Sequence, residues 1–340
     1  IQQKYPRPDK WASKILELVE KNPKAPFAED ALIWIVTSEY DLWRFRPWYE
    51  HTARYEMIWI ATSGDRTFGV LNQNEQAVRS KAIDLLLRDH VASMKLGRVA
   101  EMLSASTDKN SAALLSAILD KNPSKEVKAE AALALTLQMQ TRVSVAKQIK
   151  DNPKVIKSLE PIYGKDFIDA QQKADPARLE AEAEKLYAEV IEKHLPNLNH
   201  GAIAVRCEQL YYTHDSAMLL RALHTRDKRD EVRGVACLVL GRVLLREADR
   251  LAPGDGTAAE KMRNEGEKLL EEPAGKYAKV KTAFDSTVGR KARSEQFELR
   301  HLTMGKPAPE VDGVDQDGKA FKLSDYKGKV VLLDFWTYGC

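Results

Sequence analysis

Two stretches of this sequence match each other 105 positions apart, and this match limits the possible folds more than any other feature. Residues 111–135 and 216–240 each contain an apolar segment, a short polar turn and a second apolar segment. The matching pairs are Leu114/Leu219, Leu115/Leu220, Ala117/Ala222, Glu126/Glu231, Val127/Val232, Ala131/Ala236, Leu133/Leu238 and Leu135/Leu240. Self-similarity of this kind is typical of chains built from repeated supersecondary units. Each stretch is predicted to form two helices joined by a polar turn.

A fainter third copy lies near the start of the chain. Residues 17–32 place Lys21-Asn22-Pro23 where the first clear copy has Lys121-Asn122-Pro123. The predicted repeat units therefore lie near residues 15–45, 111–141 and 216–246. A single helical hairpin cannot bury its apolar face, so neighbouring hairpins have to stack. The sequence predicts a mainly α fold, an α-solenoid-like stack of the HEAT or tetratricopeptide kind, whose usual role is to bind a protein partner.

The helical pattern extends from residue 8 to about residue 302, and proline-containing pairs interrupt it. Proline lacks the amide that a helix interior needs and disfavours a helical conformation for the preceding residue. Helix boundaries are therefore predicted at Asn22-Pro23, Asn122-Pro123, Asn152-Pro153 and Asp175-Pro176, and a break at Pro273-Ala274-Gly275. One amphipathic face is predicted for Leu179, Ala183, Leu186, Tyr187, Val190 and Ile191. We assign residues 1–302 to a helical-repeat domain.

Composition and charge exclude several classes of partner and cofactor. The 53 Lys and Arg residues are interspersed with 50 Asp and Glu residues, giving a net charge of +3 and no electrostatic case for nucleic acid. Stretches without charged residues, such as 131–141, are far shorter than the roughly 20 apolar residues of a membrane helix. Residues 252–257 are glycine-rich, but no Gly-Lys-Ser/Thr follows them. We expect no nucleic-acid partner, no membrane span in this segment and no cofactor.

The three cysteines are too few for a disulfide scaffold, and they fit no CxxC or zinc-ribbon spacing within the chain. Cys207 and Cys237 are therefore expected to be small core residues. Four histidines cluster in sequence near Cys207, but their spacing fits no metal template, and we expect no metal site. These histidines are His194, His200, His214 and His224.

The character of the sequence changes after His301. Residues 306–309 form an extended Lys-Pro-Ala-Pro linker, and Asp317-Gly318 between two apolar pairs predicts a hairpin turn. Residues 329–336 then form a short apolar run with β-branched members. Such a run is typical of a central strand buried on both faces of a sheet.

This region contains an ordered series of motifs. Met304-Gly305-Lys306-Pro307-Ala308-Pro309 is followed by Asp317-Gly318-Lys319, by Leu-Ser-Asp-Tyr-Lys-Gly-Lys at 323–329, and by Asp334-Phe335-Trp336 shortly before Cys340. The series resembles the start of a TlpA-like (ResA-like) thioredoxin-fold domain of the redoxin and AhpC/TSA superfamily. The helical part resembles, less closely, the region that precedes such domains in some large bacterial thioredoxin-like proteins. The resemblance implies that residues 303–340 begin a thioredoxin-like α/β domain.

The resemblance also implies an activity, thiol–disulfide oxidoreduction on protein disulfides, and a place outside the cytoplasm, in the periplasm or facing it from a membrane anchor. Cys340 corresponds to the nucleophile at a helix N-terminus, where backbone amides stabilise a thiolate. Asp334 corresponds to the buried carboxylate that exchanges a proton with the resolving cysteine, and burial in an apolar strand would raise its pKa. Trp336 corresponds to a tryptophan that packs near the disulfide, with Phe335 and Thr337 as neighbours that support the site.

The sequence departs from the family pattern in two respects. Gly339 replaces the tryptophan that usually precedes the nucleophile, and the resolving cysteine would lie three residues beyond Cys340. We therefore expect the 340 residues to be part of a longer parent and inactive in dithiol exchange alone. Because the chain begins at Ile1 without an apolar leader, any export signal or anchor is expected upstream.

Two alternatives remain open. Thr337 lies three residues before Cys340, as in the Pro-x-x-x-Thr-x-x-Cys motif of peroxiredoxins, but Leu333 occupies the proline position. A peroxiredoxin-like peroxidase is therefore one alternative. The other is a non-catalytic helical scaffold that binds a protein and carries a degenerate redox domain.

Overall fold

The computed structural model describes residues 8–44, 73–198, 200–211, 216–251, 256–282 and 286–334. This part of the chain is mostly helical and ends in a small two-stranded antiparallel sheet. The helices, labelled in chain order, are α1 Pro8–Lys21, α2 Ala28–Arg44, α3 Gln73–Asp89, α4 Gly97–Leu103, α5 Lys109–Lys121, α6 Lys125–Asp151, α7 Ile156–Tyr163, α8 Lys165–Gln172, α9 Pro176–Lys193, α10 His200–Leu210, α11 Ala217–Arg226, α12 Asp230–Leu251, α13 Gly256–Leu269, α14 Glu271–Ala274 and α15 Val288–His301. The strands are β1 Asp312–Val314 and β2 Ala320–Lys322.

The predicted proline boundaries are confirmed. Helix α1 ends at Lys21 and α5 ends at Lys121, each directly before an Asn-Pro pair. Asn152 closes α6, and Asp175 caps α9 by accepting a hydrogen bond from the amide of Ala177, with proline at the first helical position. Proline suits that position because its missing amide would have no partner there. The break predicted near Gly275 is also present, since α14 ends at Ala274.

Both segments that match in sequence fold as two helices around a polar turn, α5–α6 and α11–α12. The same local bond shapes both turns: Asn122 Oδ1 accepts from the amide of Ser124, and Asp227 Oδ1 accepts from the amide of Arg229, each at 2.9 Å. Each turn also reaches an upstream carbonyl, through Asn122 Nδ2 at 2.8 Å from Ser93 O and Arg229 Nη1 at 2.7 Å from Leu198 O. Because these side chains form hydrogen bonds with the backbone of their own turn, residues close in sequence determine the geometry of each turn.

Two large hydrophobic clusters hold the helices together. One joins α1 to α5 with the start of α6, and the other joins α6 with α9 to α12 and α15. Helix α6 borders both, with Val127 and Ala131 in the first cluster and Ala129 and Ala132 in the second. The face predicted for α9 lies in the second cluster; of its members, Leu186 alone is only partly buried. The long α6 therefore couples the two cores.

A buried cation adds a polar contact between the helices that meet at α6. Arg206 on α10 lies 3.0 Å from Glu101 Oε1 on α4 and 3.9 Å from Glu130 Oε2 on α6. Burial raises the pKa of Glu130, and the guanidinium of Arg206 opposes that rise. Removing only the arginine would leave the partly buried carboxylate of Glu130 without its cation, which is the costly way to break such a pair.

Helix α12 is enclosed on all sides along its central part. All eight residues from Gly234 to Gly241 are buried, and eight consecutive helical positions cover the whole circumference. Small residues permit the close packing: a Cβ on Gly234 would lie 2.7 Å from Cβ of Tyr277, and one on Gly241 would lie 3.1 Å from the carbonyl oxygen of Gly266 in α13.

The predicted hairpin after residue 310 is confirmed. Strands β1 and β2 pair antiparallel, with Asp312 opposite Lys322 and Gly313 opposite Phe321. Gly318 occupies the turn with a φ of 80°, a backbone conformation that glycine adopts without steric cost.

The predicted central strand at 329–336 is wrong for the described residues of that run. Residues 330–334 have no regular secondary structure and are exposed. A strand exists only where a neighbour supplies hydrogen bonds, and β1 and β2 are the two strands that pair in the described part of the chain. None of the described helices combines the length and apolar character needed to cross a membrane.

Replacing Gly234 with alanine is expected to destabilise the protein by about 1–3 kcal/mol, because the added methyl overlaps Tyr277 in a filled core. Gly97→Ala is the matched control, since its new methyl has Val127 as nearest neighbour at 3.9 Å. The control is expected to be as stable as the parent or slightly more stable. Urea midpoints measure both, and equal midpoints for the two variants would contradict the close packing of α12.

Candidate functional site

The structure describes one of the predicted redox residues. Cys340, Trp336, Phe335 and Thr337 lie outside the described residues, so their predicted roles stay predictions. Asp334 is described, and its side chain is exposed rather than buried. The expected burial is not observed, because it requires a sheet with covering layers on both faces and no strand pairs with residues 330–334.

A different group of chemically active side chains comes together around α12. His224 from α11, Cys237 from α12 and Glu272 from α14 each present a donor atom, and these three atoms all lie within 4.8 Å of one another. His224 Nε2 is 3.4 Å from Glu272 Oε2, and Cys237 Sγ is 3.9 Å from the same oxygen. Imidazole, thiol and carboxylate are the common protein ligands of zinc.

The turn between α11 and α12 orients the histidine. His224 Nδ1 lies 3.3 Å from the carbonyl oxygen of Arg233, and Arg233 Nε donates back to the carbonyl of His224 at 2.9 Å. A carbonyl only accepts hydrogen bonds, so this contact assigns a ring proton to Nδ1. Nε2 is the nitrogen that faces Glu272.

Cys237 is enclosed and protonated. Burial, followed by the nearby carboxylate of Glu272, raises the pKa of its thiol to about 12. The thiol donates to the carbonyl of Leu269 at 3.3 Å, where α13 ends. Burial likewise raises the pKa of Cys207 to about 12. The prediction that both are core cysteines is confirmed, and both are free thiols.

The cluster opens to the surface on the side of Glu272. This residue lines a shallow depression of about 620 Å³, whose other lining residues are Glu265, Lys268, Leu269 and Glu271. The side chain of Glu272 is 36% exposed, whereas that of His224 is 14% exposed. Lys276 Nζ approaches the other carboxylate oxygen of Glu272 at 3.8 Å. Solvent and small ions therefore reach the cluster from the depression.

The three residues of this cluster fit no known metal-ligand spacing in the sequence. The match between residues 111–135 and 216–240 nevertheless indicates two of them. At the offset of 105, His224 corresponds to Leu119 and Cys237 to Ala132. An apolar pair in one copy is thus replaced by two metal-ligating types in the other. Glu272 had no such signal, because it lies 35 positions after Cys237 and reaches it through the packing of α14.

Comparisons of the chain with models of known protein families, with curated proteins and with solved structures found no match. The function of the chain therefore has to be inferred from its own residues and their geometry.

In the folded protein, treated with a chelator at pH 8, iodoacetamide is expected to leave Cys207 and Cys237 unmodified. Both thiols are buried, and a pKa of about 12 leaves about one thiol in ten thousand ionised at that pH. The same reagent should label both after unfolding in urea. Mass spectrometry of the peptides measures the extent, and labelling of Cys237 at the unfolded rate in the folded chain would contradict this environment.

Proposed function

We propose that the chain is a helical scaffold joined to the start of a thioredoxin-like domain, and that the protein it belongs to is a thiol–disulfide oxidoreductase acting on protein disulfides outside the cytoplasm. Cys340 is the nucleophile in this proposal. The supporting observation is the arrangement of residues 310–334, where a hairpin is followed by an exposed apolar run.

The run from Val330 to Leu333 has the apolar character and the exposure pattern of a strand without a neighbouring strand. Leu332 is 92% exposed, whereas Val331 and Leu333 are 41% and 47% exposed. This alternation of exposure matches the two-residue period of side chains along a strand. Fully burying each valine or leucine is worth about 1.5–3 kcal/mol, so four exposed apolar residues strongly favour docking into a sheet. A thioredoxin-like sheet would cover both faces of this run.

The proposed chemistry is disulfide exchange in two steps. The Cys340 thiolate attacks one sulfur of a substrate disulfide, forming a mixed disulfide and releasing the other substrate sulfur as a thiolate. A second thiol, which the family resemblance places three residues further on, then attacks Cys340 Sγ. The substrate leaves as a dithiol, and a disulfide remains in the enzyme. Asp334 would accept the proton of that second thiol once a covering sheet encloses it.

The helical part would act as the binding platform. Its support is the pair of helical hairpins α5–α6 and α11–α12, which share the same turn bond and the same reach to an upstream carbonyl. Hairpins that repeat in this way stack into α-solenoids, which present extended surfaces to other proteins. We propose that this platform brings a protein substrate to the redox domain.

Peptide mapping of the protein isolated from its source tests the proposal first. Free thiols are alkylated before and after reduction, and the peptide that contains Cys340 is sequenced. We expect a cysteine three residues after Cys340 that is alkylated only after reduction. A continuation without that cysteine would exclude dithiol exchange and leave the helical scaffold as the functional part.

The full-length protein then provides the activity test. Cys340→Ser is expected to abolish the reduction of a disulfide-bonded model protein by dithiothreitol, because no other thiol has the proposed role of nucleophile. Cys207→Ala is the matched control, since that thiol is buried in the helical core. The control should retain activity, and an unchanged rate in Cys340→Ser would contradict the proposal.

A further inference from the structure

We propose that His224, Cys237 and Glu272 form a zinc-binding site that fastens α14 to the α11–α12 hairpin. The site is separate from the proposed redox chemistry of Cys340 and does not depend on it.

The separations between the donor atoms are close to those that zinc requires. Ligand atoms about 2.0–2.3 Å from a tetrahedral ion lie roughly 3.3–3.8 Å from one another. The nitrogen–oxygen separation of 3.4 Å between His224 and Glu272 already falls in this range. The sulfur–oxygen separation of 3.9 Å between Cys237 and Glu272 exceeds it by a tenth of an ångström. The third pair, Cys237 Sγ and His224 Nε2, lies within 4.8 Å, so side-chain movements of about 1 Å complete a three-ligand site.

The surroundings of the histidine match those of a metal ligand. A histidine that binds zinc through one nitrogen usually donates its other ring proton to a carbonyl or carboxylate, which fixes the tautomer. The contact of His224 Nδ1 with the carbonyl of Arg233 has this arrangement, and Nε2 faces Glu272, where the neutral ring can coordinate zinc. The backbone of the hairpin thus orients the first ligand before any ion binds.

The internal match shows that the hairpin does not need these side chains in order to pack. In the α5–α6 hairpin, the positions of His224 and Cys237 are occupied by Leu119 and Ala132, and both pack against a hydrophobic core. A hairpin of this geometry therefore packs well with apolar residues at both positions. The imidazole and thiol of the second hairpin face Glu272 instead, which comes from outside the hairpin.

Binding of the ion has a defined proton balance. Zinc coordinates the thiolate, so the proton of Cys237 leaves for solvent and the hydrogen bond to the carbonyl of Leu269 is lost. The ion replaces that proton with a stronger positive charge beside Glu272. With three protein ligands, the fourth coordination position would be taken by water, which reaches Glu272 from the depression that it lines.

Metal titrations test the proposal in a Cys340→Ser background, so that the thiol of the proposed redox centre cannot contribute. Chelator-treated protein is titrated with zinc by calorimetry and with cobalt by absorption spectroscopy. We expect one zinc per chain and a cobalt spectrum with a thiolate-to-metal charge-transfer band. Cys237→Ser and His224→Leu are each expected to weaken zinc binding by about 100-fold or more, and Glu272→Gln by about 10–100-fold.

Cys207→Ser is the matched control, because Cys207 is equally buried and lies outside the cluster. It should bind zinc like the parent. The absence of stoichiometric zinc binding, or a cobalt complex without the charge-transfer band, would overturn the proposal. The cobalt spectrum of the Cys340→Ser protein with the cluster intact decides the matter even if a cluster variant fails to fold.

Discussion

Enclosure of α12 on every side is the constraint on which the rest of the helical structure depends. A helix without a polar face has to be surrounded, and residues 234–241 leave no face for water. Its neighbours α10, α11, α13, α14 and α15 supply that cover. The fit is close, since Gly234 lies against Tyr277 and Gly241 against Gly266. Dense packing of this kind transmits any change in side-chain volume directly into strain.

The same enclosure explains why a thiol, an imidazole and a carboxylate meet. The hairpin brings His224 beside α12, and the short α14 has to close over the helix directly after Leu269, which carries Glu272 to Cys237. Buried thiols are inert as nucleophiles, because burial keeps them protonated. Cys207 and Cys237 are of this kind. The cysteines thus fall into two groups. Cys207 and Cys237 are buried in the helical core, where Cys237 belongs to the proposed zinc site, and Cys340 is the proposed redox nucleophile.

Features fixed by local chemistry could be predicted from the sequence, and features fixed by distant partners could not. The turns at Asn122 and Asp227 and the break before Gly275 follow from side chains and prolines that act within a few residues. The run at 330–333 shows the opposite case, because its apolar character indicates burial but a strand needs neighbours to pair with. The cluster at Cys237 was missed for a similar reason: Glu272 is brought there by tertiary packing, which spacing templates do not register.

Hydrogen exchange of the backbone amides tests the central position of α12 most directly. If the helix is enclosed on all sides, the amides of residues 234–241 exchange only when the whole helical part unfolds. Their exchange free energy should then equal the free energy of unfolding from urea titration, and the Gly234→Ala variant should lower both by the same amount. Exchange of these amides as fast as that of the β1–β2 hairpin would contradict the account.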